Sequence, residues 1–186
     1  MIDHSRKLLF IHIARTGGTS IETAICGKDW WLIDSESKHI SASQSRVLYG
    51  EEIWESYHKF SIVRNPWDRL LSMWITKWWN IEKLQSNCKF KEFIQNVSPH
   101  PNEKYNSLFY WEILGEEGIE VLKFEDLENE FYTFLRSKKL TEVSLPHVEA
   151  RQHKHYLEYY DEESLDYVEK KFLKDIVNFD YERPKI

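Results

Sequence analysis

Leu8-Leu-Phe-Ile-His-Ile-Ala-Arg-Thr-Gly-Gly-Thr-Ser20 is the stretch that decides the fold. Its short apolar run, Leu8 to Ile13, closes on Thr16-Gly-Gly18, as a buried parallel strand entering a turn does. Thr19 or Ser20 is then placed to cap a helix running through Ile25. A strand that ends in two glycines and restarts as a helix lets backbone N–H groups converge on one point, and the helix N-terminus adds about half a positive charge there. Arg15 sets a permanent cation beside that cradle, and Thr16, Thr19 and Ser20 offer hydroxyl donors. The turn suits a phosphate or sulfonate. The plain alternative is an ordinary strand-to-helix turn with capping residues. A nucleotide triphosphatase loop fits less well, because it needs a lysine after its last glycine and none follows Gly18.

Working outward, Lys59-Phe-Ser-Ile-Val63 reads as a second strand. Asn65-Pro66 supplies an N-cap followed by proline at the first helical position, and Leu70, Trp74 and Trp78 at four-residue steps predict a helix to about Trp79. Ser107 to Trp111 and Ile119 to Phe124 read as further strands around a Gly115-Glu-Glu-Gly118 turn. Helices are expected over Glu125 to Arg136, capped by Glu125 or Asp126, and over Asp161 to Ile176, where Leu165, Val168, Phe172 and Ile176 share a side. Alternation of strands and helices predicts an α/β fold with a parallel sheet. Neither a repeat nor a Gly/Ser linker interrupts residues 1–186, so a single domain is expected; Ser98-Pro-His-Pro-Asn102 reads as a loop.

Composition narrows the function. The 186 residues carry 25 Lys+Arg against 31 Asp+Glu, net -6, which disfavours a protein that coats nucleic acid. Residues 1–80 hold 10 Lys+Arg and 9 Asp+Glu, so the acidity lies in the later part, away from the two glycines. Aromatics at 15% and hydrophobics at 41% exclude a disordered chain. Cys26 and Cys88 allow at most one disulfide, which suits a reducing compartment. His12 and Arg15 cut the first apolar run too short for a secretion signal, and no stretch approaches the ~20 apolar residues of a membrane span. A soluble, cytoplasmic protein is expected.

Phe10 to Ser20 resembles the 5′-phosphosulfate loop of sulfotransferases that use 3′-phosphoadenosine 5′-phosphosulfate, particularly the carbohydrate-sulfotransferase branch. The usual Pro-Lys is here Ala14-Arg15, which keeps the charge but exchanges a compact ammonium for a planar fork. Phe60-Ser-Ile-Val-Arg-Asn-Pro-Trp-Asp-Arg-Leu-Leu-Ser72 is similar to the same family's 3′-phosphate segment, including the eight-residue step from Arg64 to Ser72. Without that likeness, Arg64 is as well read as a partner for Asp68, and Ser72 as a neutral helix residue. His39 in Lys38-His-Ile-Ser-Ala42 lies where relatives place a His-x-x-Ala segment bearing the catalytic base, with His12 as an alternative. Val121 to Leu127 looks like the strand and acidic turn before a late helix. His147 to Tyr156 resembles the loop that closes over the nucleotide, with Arg151 and Lys154 as donor contacts.

The resemblance implies a three-layer, P-loop-like parallel β-sheet flanked by helices. It implies a sulfotransferase that moves a sulfuryl group to a hydroxyl or amine of a small-molecule or carbohydrate acceptor and leaves adenosine 3′,5′-bisphosphate. Donor contacts then fall to Arg15, Thr16, Gly17, Gly18, Thr19, Ser20, Arg64, Ser72, Arg151 and Lys154, with His39 and Arg15 catalytic. No metal, nucleic acid or membrane enters this scheme; His147, His153 and His155 lack a clear fourth ligand for zinc. Two other readings compete: a phosphotransferase using ATP, and a non-catalytic nucleotide or glycan module. The pairs Trp30-Trp31 and Trp78-Trp79 suggest an acceptor surface, although Trp74 and Trp78 at helical spacing favour the core.

Overall fold

Side-chain alternation along three parallel strands builds the layers of the protein. The computed structural model describes residues 1–77, 88–99, 108–146 and 153–186. Within them β2 (Leu8–Ile11), β3 (His58–Val63) and β4 (Ile119–Lys123) pair in parallel, and a two-residue β1 (Ile2–Asp3) adds antiparallel to β2, in the order β1-β2-β3-β4. The helices are α1 (Gly18–Cys26), α2 (Ala42–Tyr49), α3 (Glu51–Ser56), α4 (Pro66–Thr76), α5 (Phe90–Asn96), α6 (Tyr110–Ile113), α7 (Leu127–Ser137), α8 (Glu162–Lys171) and α9 (Leu173–Asn178).

Leu8, Phe10, Phe60, Ile62 and Leu122 point to one face and pack on Ile21 and Ile25 of α1 and Phe131, Phe134 and Leu135 of α7. Leu9, Ile11, Ile13 and Val63 point to the other and meet Ala42 of α2, Trp54 of α3 and Tyr110 and Ile113 of α6. A period of two along each strand thus feeds two cores, and both faces of the mostly parallel sheet are covered by helices, as such sheets require. A third cluster joins α4, α5, α8 and α9 through Trp67, Leu70, Phe93, Leu165, Val168 and Ile176. Among the described residues no helix is long and apolar enough to cross a membrane.

Several expectations are revised. Ser107 lies outside the described residues, and the rest of the strand expected there is a turn and the short helix α6. The Asp175 carboxylate accepts from the backbone N–H groups of Tyr110 and Trp111, both at 2.9 Å, which satisfies amides that a strand would have paired with a neighbour. The helix expected over Asp161 to Ile176 is two helices. Phe172 leaves helical geometry between α8 and α9, its ring 5.2 Å from that of Phe109, while the shared apolar side is as read. Neither Glu125 nor Asp126 caps α7 by its side chain. α4 ends at Thr76, followed by left-handed Lys77 (φ 56°); Trp78 and Trp79 lie outside the described residues.

Candidate functional site

Helix α1 opens without a cap. Its N-cap residue is Gly17, in the left-handed region at φ 84°, with no side-chain acceptor on the first amides; the caps expected from Thr19 and Ser20 do not form. The first N–H groups of a helix have no intrahelical partner, so this end is left open to an anion. The turn itself is demanding. Arg15 also stands in the left-handed region (φ 67°), which costs a non-glycine residue roughly 1–3 kcal/mol. A Cβ on Gly17 would lie 2.9 Å from the Phe124 ring, and one on Gly18 would lie 2.8 Å from Cε1 of His12 and closer still to Cδ2 and Nε2. Glycine is needed at both positions for space, and at Gly17 for dihedral freedom as well.

The turn borders a cavity of about 480 Å³, within the usual size of a small-ligand pocket. Arg15, Gly17, Gly18, Thr19 and Ser20 form one wall, Arg64, Ser72, Ile75 and Thr76 another, and Phe124 to Glu128 with Leu145, Pro146 and His153 close it. The two sequence segments quoted above therefore meet in one place. Arg15 Nε donates to Ser72 Oγ at 3.1 Å, joining residues 57 positions apart. The Arg64 guanidinium stacks on the Phe124 ring at 4.2 Å and contacts the Arg15 carbonyl at 3.4 Å. Its Nε and Nη2 donate to Asp68 Oδ2 at 2.9 and 2.8 Å. The pairing with Asp68 and the place in the cavity wall thus coexist: the carboxylate orients one edge of the fork. Tyr110 pins the backbone of Arg64 in both directions, its hydroxyl donating to the carbonyl at 2.7 Å and accepting from the amide at 3.2 Å.

Other expected site residues sit elsewhere. Thr16 is fully buried, and its hydroxyl donates to the Ile13 carbonyl at 2.8 Å, so it fastens the turn to its strand and does not border the cavity. Lys154 is exposed and pairs with Glu158 at 3.2 Å; among the described residues of that loop, its neighbour His153 borders the cavity. Arg151 and His147 lie outside the described residues. The N-terminus of α4, unlike that of α1, is closed, because Asn65 Oδ1 accepts from the Trp67 and Asp68 amides. Trp30 is buried, donating to Ser37 Oγ at 2.8 Å, and Trp74 is packed in the helical cluster. Trp31 is partly exposed, edge-on to His39 at 5.5 Å.

His39 is buried directly behind the wall. Its Nδ1–H donates to the His12 carbonyl at 3.1 Å, which leaves Nε2 as the basic nitrogen. Burial and the neighbouring His12 hold its pKa well below 6.5. His12, not His39, borders the cavity. Its Nδ1 lies 2.6 Å from Glu22 Oε1, and burial lowers its pKa as well. Glu22 and Lys38 pair at 2.6 Å in the interior, and Lys38 also binds Asp29. Burial pushes Glu22 up, but His12 and Lys38 outweigh it and bring its pKa to about 2.

These shifts fix the sign of the acid response. Both imidazoles have folded-state pKa values below 6.5, so the stability they confer is complete above that pH and is lost as pH falls beneath it. Glu22 adds a further loss as pH falls from its ordinary 4.5 towards 2. Scanning calorimetry should find the thermal midpoint lower at pH 5 than at pH 7; an unchanged or higher midpoint would contradict the neutral burial of the pair.

Sequence reasoning missed Phe124, Tyr110, Glu22 and Arg69. The buried Arg69 holds the Ala14 carbonyl at 3.0 Å and that of Leu108 at 2.7 Å, fixing the end of β2 next to the turn. The usable signal was charge at positions that the helical pattern buries: Glu22 falls between Ile21 and Ile25, and Arg69 beside Leu70. Comparison with known proteins adds one match. A model of the sulfotransferase family matches residues 1–182. No curated protein matches the chain.

Proposed function

The chain belongs to the sulfotransferase family, and on that premise we propose that it binds 3′-phosphoadenosine 5′-phosphosulfate in the cavity and transfers the sulfuryl group to a hydroxyl or amine of a small-molecule or carbohydrate acceptor. The observation that carries the reading is the meeting of the open α1 N-terminus, Arg15, Arg64 and Ser72 around one cavity of about 480 Å³. The donor set suits the group. Two guanidiniums and uncapped amides match a ligand with negative charge at two ends, and the absent Cβ atoms of Gly17 and Gly18 let the Phe124 and His12 rings close on the turn that bears those amides.

When bound, the donor supplies a sulfuryl group on a phosphate leaving group: the acceptor's bond to sulfur forms as the bridging S–O bond breaks and its electron pair passes to the phosphate. Arg15 and the Gly17, Gly18 and Thr19 amides sit where they stabilise charge on the sulfuryl and bridging oxygens. Arg64 and Ser72 hold the 3′-phosphate, with Asp68 and Phe124 fixing the plane of the guanidinium. His39, neutral with Nε2 unprotonated, is the proposed base for the acceptor's proton, which requires the acceptor to reach it from beyond the cavity that holds the donor, since His39 itself does not border that cavity. A phosphate leaving group carries its own charge, so arginine rather than an acid serves it.

Two measurements test this. With sulfur-labelled donor and a panel of glycans, phenols and amines, label should appear in an acceptor with release of adenosine 3′,5′-bisphosphate; bisphosphate binding without transfer to any acceptor class would point instead to a non-catalytic module. Arg64→Ala should weaken bisphosphate binding by about 2 kcal/mol or more, roughly 30-fold in Kd, because a charge-assisted fork is lost from a largely desolvated wall. Wild-type affinity in calorimetry would remove Arg64 from the site.

A further inference from the structure

Glu22 is a fully buried carboxylate that the proposed transfer does not use, and it joins three parts of the site. It lies one turn into α1, the helix whose open N-terminus forms the cradle. Oε1 meets Nδ1 of His12 at 2.6 Å, just past the end of β2, and the Nε2 side of that ring packs against Gly18. Oε2 accepts from Lys38 Nζ at 2.6 Å and from the Trp30 amide at 3.1 Å, which ties down the segment carrying His39. His39 in turn rests on the His12 carbonyl, with the two rings 4.5 Å apart.

We infer that Glu22 is a positioning residue for transfer: one carboxylate that couples the His39 segment, through Lys38, and the His12 ring to the helix bearing the sulfuryl cradle. This rests on the sulfuryl-transfer reading above. Two buried charges are a poor way to gain stability, since an apolar pair of similar volume often does as well. What the pair adds is a fixed geometry between base and cradle, where displacement of about 1 Å can cost on the order of 10²-fold in rate. It also sets the charge around the base. The ionisable groups acting on His39 are His12 from the strand end, Lys38 beside it, which lowers its pKa, and Glu22 from α1, which raises it.

That opposition separates positioning with charge from mere support. Glu22→Gln and Lys38→Met break the same ion pair, so a purely structural role moves both variants the same way. Here Glu22→Gln should shift the His39 protonation midpoint further down and Lys38→Met should shift it up, read by NMR of protein labelled with ¹⁵N-histidine, which needs neither donor nor acceptor. In both, kcat should fall about 10- to 100-fold while Kd for adenosine 3′,5′-bisphosphate stays within about twofold. Shifts of the same sign, or no shift, would overturn the inference. Should either single variant fail to fold, the double variant, which leaves neither charge of that pair unmatched, should keep bisphosphate affinity and lose kcat; wild-type kcat in the double would overturn it. Absence of bisphosphate binding by the wild-type chain removes the transfer reading itself, and the opposite NMR shifts then still decide whether Glu22 holds the imidazoles.

Discussion

Gly18→Ala should weaken nucleotide binding severely. The added methyl group would fall within 3.0 Å of three atoms of the His12 ring, a separation that real Cβ atoms essentially never show. That ring has nowhere to go: its Nδ1 is held by Glu22 at 2.6 Å, its face stacks on Phe10 at 5.4 Å, and it is buried. The turn must move instead, carrying with it the amides and Arg15. Overpacking of this kind costs about 1–3 kcal/mol, which in a chain of this size lowers Tm by several degrees. Loss of register between Arg15 and Ser72, joined at 3.1 Å, should weaken adenosine 3′,5′-bisphosphate binding by on the order of 10²-fold or more. Gly27→Ala is the control. Gly27 has a left-handed φ of 79°, which Gly18 does not, and its Cβ would meet nothing within 4 Å. It should lose about 1 kcal/mol of stability from the dihedral alone and bind as the wild type does. Calorimetric titration of the two variants checks the pair; equal affinity would show that close approach of His12 to the turn is dispensable.

His39→Ala should have the opposite signature, with binding kept and turnover lost. The imidazole is buried and, unlike Arg64 and Ser72, does not border the cavity, so Kd for the bisphosphate should stay within about twofold. Removing a general base costs typically 10²–10⁴-fold in rate, and transfer of labelled sulfate should fall by that range. Burial keeps the imidazole neutral near pH 7, so the base is ready without titration, and activity should fade only as pH drops well below 6.5. Full turnover in His39→Ala would assign the proton to another group, and His12, which does border the cavity, would be examined next.

Much of this was readable from residues 8–20 and 59–72. Apolar runs that end in Gly-Gly or Arg-Asn-Pro have few ways to fold other than strand, turn and helix, and β2, α1, β3 and α4 follow from them. Where reading failed, a tertiary partner decided. Tyr110 and Trp111 look like strand residues until Asp175, some 65 positions later, takes their amides. Thr16 looks like a ligand donor until its hydroxyl is spent on Ile13. The roles of Glu22, Lys38 and Arg69 depend on partners 10 to 55 positions away, and no local pattern encodes those meetings. Similarly, the motif around His39 is visible in the sequence, but the seat of His39 behind His12 is set by packing between two segments that the sequence keeps apart.

On the proposed reading, the cavity takes a nucleotide carrying both 5′ and 3′ anions. Isothermal titration of the wild-type chain with adenosine 3′,5′-bisphosphate, set beside ATP with magnesium and adenosine 5′-monophosphate, tests it most directly. The expected result is clear preference for the bisphosphate, independent of magnesium, with the preference over the monophosphate lost in Arg64→Ala. Tight magnesium-dependent ATP binding with no gain from the 3′-phosphate would contradict it and indicate phosphoryl transfer instead.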